Sequence, residues 1–234
     1  MKIFAVNGSP RGSHGNTERI LQPFLEGARA AGAATEIAYL KDQRINHCTG
    51  CFNCWFRTPG VCVHHDDMPE LLERIQTADV LIYATPLYYY SVTGLMKDFM
   101  DRQLPLVQPT IEIKNEQYSH PRRRPGTTPT KAVLISNSGF PGQYNFAGLL
   151  ATFKVATHGR LAGAILCTQG PLLENPDLPQ VSGPYLAKVT QAGRELVERG
   201  MIAPETEAAL NKDLIDPQIY LDNANQHFKK ITAQ

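Results

Sequence analysis

The chain alternates between short, nearly uninterrupted apolar runs and longer segments whose apolar residues recur every three or four positions. "KIFAVNG" is the first run, ended by Asn7-Gly8, and reads as a buried strand. Residues 16–33 follow, with Ile20, Leu21, Phe24, Leu25 and Ala28 at helical spacing. "ATEIAYL" returns to strand composition. After a long stretch with no sustained period, Asp66 or Asp67 can cap a helix over 68–77, whose apolar stripe is Leu71, Leu72 and Ile75. "ADVLIYATP" is almost continuously apolar, as a central parallel strand covered on both faces requires. "VTGLMKDFMDRQL" reads as helix, "KAVLISNS" as the fourth strand, residues 144–157 as helix and "LAGAILCTQG" as the fifth strand. Helices over about 183–199, 204–212 and 217–230 finish the chain. This alternation predicts a single α/β domain, a parallel sheet with helices on both faces.

Three segments stand outside that rhythm: a cysteine-rich loop at 47–66, a proline-rich insertion at 103–130 and a helical extension at 183–234. The insertion contains "PRRRP", an anion patch on one reading and a solvated surface turn on the blander one. Loops of this length inside a compact domain are usually functional or interfacial.

Composition narrows the partners. The 234 residues are 42% hydrophobic and 19% charged, with a net charge of +1, so nothing argues for nucleic acid or an anionic membrane. The apolar run at the amino terminus is only Ile3 to Val6, too short for a signal peptide, and no stretch approaches a membrane span. A cytoplasmic protein is expected.

That compartment bears on "HCTGCFNCWFRTPGVC", which places Cys48, Cys51, Cys54 and Cys62 in the spacing C-x2-C-x2-C-x7-C. Where thiols stay reduced, such a group points to metal, cluster or redox chemistry before structural disulfides. His64 and His65 leave a zinc reading open, and unmetallated thiols that merely pack a loop are a third. Cys167 sits within the fifth apolar strand and reads as a small buried hydrophobe.

"NGSPRGSHGNT", residues 7–17, lies between the first strand and the first helix. Its glycines and hydroxyls can turn backbone N–H groups toward one point at the positive end of a helix dipole. It lacks the lysine of a nucleoside-triphosphate loop and the glycine pattern of a dinucleotide fingerprint, which leaves a monophosphate as the natural ligand. In open parallel sheets, ligands lie at the carboxyl ends of the strands. "TPLYYYSVTG" and "SNSGFPGQYN" fall on that edge, and Tyr88, Tyr89, Tyr90 and Phe140 suit a flat conjugated ligand. Asn137 and Gln143 are candidates for the ligand's polar edge.

Taken together, "GSPRGSHGNT", "ATPLYYYSVTGLMKDFMDR" and "CTGCFNCW…PGVCVHHDDM" resemble the flavodoxin-like NAD(P)H-dependent FMN reductases, and among them the iron–sulfur flavoproteins. The resemblance implies a flavodoxin-like three-layer sandwich with a five-stranded parallel sheet of order 2-1-3-4-5 and FMN at its carboxyl edge. It implies that Ser9, Arg11, Asn16 and Thr17 bind the phosphate. Pro86, Leu87, Tyr88 and Tyr89 would flank the ring, and Ser138, Gly139 and Phe140 would form a third flavin loop. It further implies NAD(P)H as co-substrate, a small electron acceptor and a homodimer or homotetramer. Cys48, Cys51, Cys54 and Cys62 would be the ligands of a [4Fe–4S] cluster. The flavin would carry the chemistry, with no protein general acid required.

Overall fold

The computed structural model describes residues 1–114, 116–126, 129 and 131–233. Asn115, Thr127, Thr128 and Thr130 of the insertion, and Gln234, lie outside the described residues. Five parallel strands form the sheet: β1 (Lys2–Asn7), β2 (Ala34–Tyr39), β3 (Val80–Pro86), β6 (Lys131–Asn137) and β7 (Leu161–Cys167). Their order is β2-β1-β3-β6-β7, which is the expected 2-1-3-4-5 once β4 (Glu112–Lys114) and β5 (Gln117–Ser119) are set aside. That short antiparallel pair lies in the insertion and carries no apolar period long enough to announce it.

The strands are apolar on both sides because both faces are covered. One face packs Ile3, Ala5, Ile82 and Ile135 against α1 (Asn16–Ala30) and α6 (Pro179–Arg199). The other packs Phe4, Val6 and Leu81 against α3 (Met68–Thr77) and α4 (Gly94–Asp101). Next to them, α5 (Ala147–Ala156) closes over Leu134, Ala164 and Leu166. The first helix stops three residues before the sequence pattern does, since Gly32 takes φ +91° to turn the chain into β2. The helix of residues 92–104 shortens to α4, capped by the Thr93 hydroxyl, which accepts from the Met96 amide.

Of the segment 183–234, α6 begins earlier, at Pro179, and is the second helix over the α1 face. It is followed by α7 (Pro204–Leu210) and α8 (Pro217–Thr232). No residue of α8 is buried. No described helix is long and apolar enough to cross a membrane.

Candidate functional site

Three loops meet at the carboxyl edge of β1, β3 and β6, and a buried polar network sets the first of them. Asn7, at the end of β1, accepts from the Ser9 amide at 2.9 Å and donates to Glu18 at 2.8 Å. Glu18 also accepts from Gln22 and from the Tyr39 hydroxyl, both at 2.6 Å. Burial first, and then the Glu18 carboxylate, push Tyr39 up to about 12, so it stays a neutral donor. The Ser9 hydroxyl accepts from the Arg11 amide at 3.2 Å, and a 3-10 turn at Gly12–His14 leads into α1. The sequence pattern points to Ser9 but not to Asn7 or Glu18, whose partners lie up to 21 residues away.

At the start of α1, Gly15 occupies the cap position without any side-chain cap. The first N–H groups of a helix have no intrahelical acceptor, and here the first two belong to Asn16 and Thr17. The Asn16 Oδ1 atom is enclosed and has no hydrogen-bond partner. Thr17 is buried and its hydroxyl accepts from Asn137 Nδ2 at 2.8 Å, which ties the first loop to the third. Arg11 is half-exposed and pairs with Glu174 at 2.9 Å. The chain approaches α4 closely behind this loop: a Cβ on Gly8 would stand 2.9 Å from Met96 Cβ.

The second loop is a two-residue turn. Tyr88 and Ser91 exchange amide–carbonyl bonds at 3.0 and 2.9 Å. Tyr89 at φ +48° and Tyr90 at φ +60° are both left-handed. That is the geometry of a hairpin turn usually given to Asn-Gly. Side chains there cost on the order of 1–3 kcal/mol each, a strain that clusters at ligand sites. The turn holds the rings in the open, with Tyr89 97% exposed. Pro86 ends β3 and the Leu87 amide donates to the Asn137 carbonyl at 2.8 Å.

In the third loop the Ser138 hydroxyl donates to the Phe140 carbonyl at 2.9 Å, and Tyr220 of α8 donates to the Gly139 carbonyl at 2.6 Å. A Cβ on Gly139 would meet nothing within 4 Å, and Phe140 and Tyr144 are exposed. The candidates for the ligand's edge are otherwise engaged. Asn137 holds Thr17, and Gln143 Nε2 donates to the Leu166 carbonyl at 2.8 Å.

The cysteine loop follows β2 in the chain and touches α4, where His47 lies 2.6 Å from Asp98. A short helix, α2 (Asn53–Phe56), carries Cys54, which is buried, while Cys48 and Cys51 are exposed and Cys62 is half-buried. Burial first, and then the neighbouring thiols, push the Cys54 thiol up; the Asn53 amide and the Thr49 hydroxyl pull Cys51 down. Among the described residues, no three His, Cys, Asp or Glu side chains stand where they could hold one ion. The number and kind of the four thiols are those of a cluster's donor set, and as placed they converge on no single ion. His64 Nε2 is enclosed without a partner.

What anchors this loop is an ion pair that the sequence reading missed. Arg102, at the end of α4, donates to Asp66 at 2.8 and 3.0 Å and to the Asn46 carbonyl at 2.7 Å. The two side chains are 1% and 0% exposed. Burial works against the Asp66 carboxylate. The Arg102 guanidinium and the Asn46 and Met68 donors outweigh it and hold Asp66 well below the usual carboxylate range. Asp66 thus does more than the expected helix cap, while Asp67 accepts from the Arg44 amide at 2.7 Å. The insertion braces the same loop. Trp55 Nε1 donates to the Leu104 carbonyl at 3.1 Å, and the Trp55 ring lies 4.8 Å from that of His120.

Known proteins resemble this chain in sequence and in fold. An iron–sulfur flavoprotein of Archaeoglobus fulgidus is 39% identical over 115 residues, covering 49% of this chain and 51% of that protein. The chain spans about half the length of the curated relatives it matches. Among solved structures, the NAD(P)H:quinone oxidoreductase from Methanothermobacter marburgensis superposes with a TM-score of 0.61 at 17% identity, over 84% of this chain and 96% of that one. An FMN-dependent NADH-azoreductase from Bacillus anthracis, solved in complex with FMN, gives 0.61 at 15% identity, over 84% and 99%. At such identities these two structures speak for the fold alone. Residues 1–115, which hold the first loop, the cysteine segment and the tyrosine turn, match the description "NADPH-dependent FMN reductase". Over that segment the chain is similar to the NADPH-dependent FMN reductases.

Proposed function

We propose that the protein is an FMN-dependent NAD(P)H oxidoreductase that passes electrons to a small acceptor such as a quinone, an azo or nitro compound, a flavin or a ferric species. The observation that carries this reading is the uncapped start of α1 beside an open edge lined by exposed aromatic rings. An anion at the helix start would satisfy what Gly15 leaves unmet. The Ser9 hydroxyl and the amides of Asn16 and Thr17 would hold the phosphate, with Arg11 available once it leaves Glu174. Pro86, Leu87, Tyr88 and Tyr89 would flank one side of the ring, and Ser138, Gly139 and Phe140 the other. Bound FMN would supply the redox chemistry, taking a hydride from the nicotinamide and passing electrons onward. The protein's part is position: the Asn137–Thr17 bond fixes two loops to one another, and the strained turn keeps Tyr88 and Tyr89 from collapsing inward. The family match and the names of the relatives support the same reading. We place the activity in the cytoplasm.

Purified protein should bind FMN in equimolar amount, and NADPH should bleach the bound flavin in stopped flow. Asn16→Ala should weaken FMN binding roughly 10- to 150-fold, the worth of about one hydrogen bond to a charged group. Failure to bind added FMN would sink the proposal, and a flavin that stays oxidised for minutes in excess NADPH would return it as an electron carrier. About four iron and four sulfide per FMN after anaerobic purification would show that the cysteine loop rearranges around a cluster.

We place a second copy of the chain against α8. Its Leu221, Ala224, Phe228 and Ile231 share one face, the first and last two are exposed, and an isolated helix of this length is marginal in water. Light scattering should give a dimer or tetramer for the full chain and a smaller species after removal of 217–234. An unchanged mass would remove α8 from the interface.

A further inference from the structure

The three consecutive arginines of the insertion go to three different places. Arg124 lies at the surface, 3.4 Å from Glu73. Arg123 donates to the carbonyls of Pro105 at 3.2 Å and Val107 at 3.1 Å. Arg122 instead lines a cavity of about 80 Å³ under the sheet, with Tyr83, Gln103, Lys131, Thr157 and Arg160. The cavity lies by the starts of β3 and β6. Leu81 on its wall is five residues before Pro86, so it is roughly 16 Å from the flavin edge at ~3.3 Å per residue.

Its electrostatics are one-sided. Arg122 and Arg160 bring two cationic groups to one half-buried space, and no carboxylate is among the described residues that line it. Neither enters an ion pair found among the described residues. Lys131 turns its ammonium the other way, to the Gly200 carbonyl at the end of α6. Backbone carbonyls aim Arg160 without neutralising it: it donates to Thr157 at 2.9 Å and to Pro129 at 3.1 Å. The Arg122 side chain makes no hydrogen bond among the described residues. Burial, and then repulsion from Arg160, push its guanidinium below the ordinary arginine value. Gln103 Nε2 is enclosed on the same wall and has no acceptor. Burial keeps the Tyr83 hydroxyl beside it neutral, and so a donor.

We propose that this cavity binds a small tetrahedral oxyanion of phosphate or sulfate size, held between Arg122 and Arg160 with Gln103 as a third donor. Guanidinium forks match such oxygens in pairs, which ammonium groups and water do not. A water takes ~30 Å³, so the space has the size of one such ion and is too small to enclose a nucleoside. The bound anion would cancel the repulsion between Arg122 and Arg160. It would thereby fasten the insertion, which carries Arg122, to the sheet and α5. The inference is independent of the proposed redox activity.

Thermal unfolding of FMN-saturated protein tests it, with inorganic phosphate compared with chloride at equal ionic strength. Phosphate at ten times its Kd should raise Tm by about 3–6 °C. Arg122→Gln should abolish that rise, while its Tm in chloride equals or exceeds that of the parent. Adenosine 2′-monophosphate should give a smaller rise than inorganic phosphate. Should Arg122→Gln not fold, Arg122→Lys, which keeps the charge but not the fork, should lose most of the rise. A phosphate effect no greater than that of chloride would overturn the proposal. So would a rise that survives intact in the Arg122 variant, which would belong to the first loop instead, or a nucleotide that outdoes free phosphate.

Discussion

Gly27→Ala and Gly193→Ala are each expected to destabilise the protein by more than about 3 kcal/mol, lowering Tm by roughly 6–12 °C. The sign is what makes the test sharp. Inside a helix, replacing glycine by alanine ordinarily stabilises by about 0.5–1 kcal/mol. Here each glycine marks the crossing of α1 and α6. A Cβ on Gly27 would stand 1.9 Å from the Thr190 carbonyl oxygen, and a Cβ on Gly193 would stand 1.9 Å from that of Phe24. The obstacle is backbone on both sides, so no rotamer relieves it and the helices have to part. Parting them loosens Phe24, Leu25 and Ala28 from Val189, Ala192 and Leu196, all buried in one core. Urea unfolding measures the outcome. A stabilised alanine variant at either position would mean that the helices do not cross there.

Asp66→Ala carries the second large effect. It strands the Arg102 guanidinium in a space where both side chains are shut off from water, at an expected cost of about 3–5 kcal/mol. Replacing both partners by apolar residues should cost less than replacing Asp66 alone, because no uncompensated charge then remains. The same pair predicts a pH dependence. The folded pKa of Asp66 is depressed, so its contribution is present in full above the unfolded value of about 4. It is lost as the pH falls from there toward the folded value. Stability measured from pH 6 down to pH 2 should therefore fall less steeply in Asp66→Ala than in the parent. Parallel curves would place the acid sensitivity elsewhere. The local readout is the cysteine loop: with Asp66 gone, Cys54 should become accessible to thiol reagents.

The sheet, its helices and the three loops at its edge were legible because each is written locally. Apolar runs of strand length, stripes at helical spacing and a glycine–hydroxyl turn after the first strand all lie within short windows of sequence. What escaped joins distant positions. Glu18 gathers Asn7, Gln22 and Tyr39, and Asp66 meets Arg102 from 36 residues away. No periodicity encodes such pairs. The tyrosine turn escaped for a different reason. Its backbone adopts a shape that favours Asn and Gly, so propensity argues against placing Tyr89 and Tyr90 there. The arginine triplet looked like one solvated patch because adjacent residues were read as a unit. The β4–β5 pair and its flanks instead turn Arg122, Arg123 and Arg124 in separate directions.

The α1–α6 crossing also governs how the chain can be made. The apolar stripe of α1 exists once Ala30 has been synthesised, but its cover, α6, is encoded at 179–199. At ~5–20 residues per second, a ribosome needs about 8–30 s to supply it. Over that interval Leu21, Phe24 and Leu25 belong to an unfinished core and are available to chaperones or to other nascent chains. It follows that residues 1–115, although they carry the family's signature, should not fold when expressed by themselves. Gene truncations upstream of α6 should yield aggregates rather than a smaller flavoprotein.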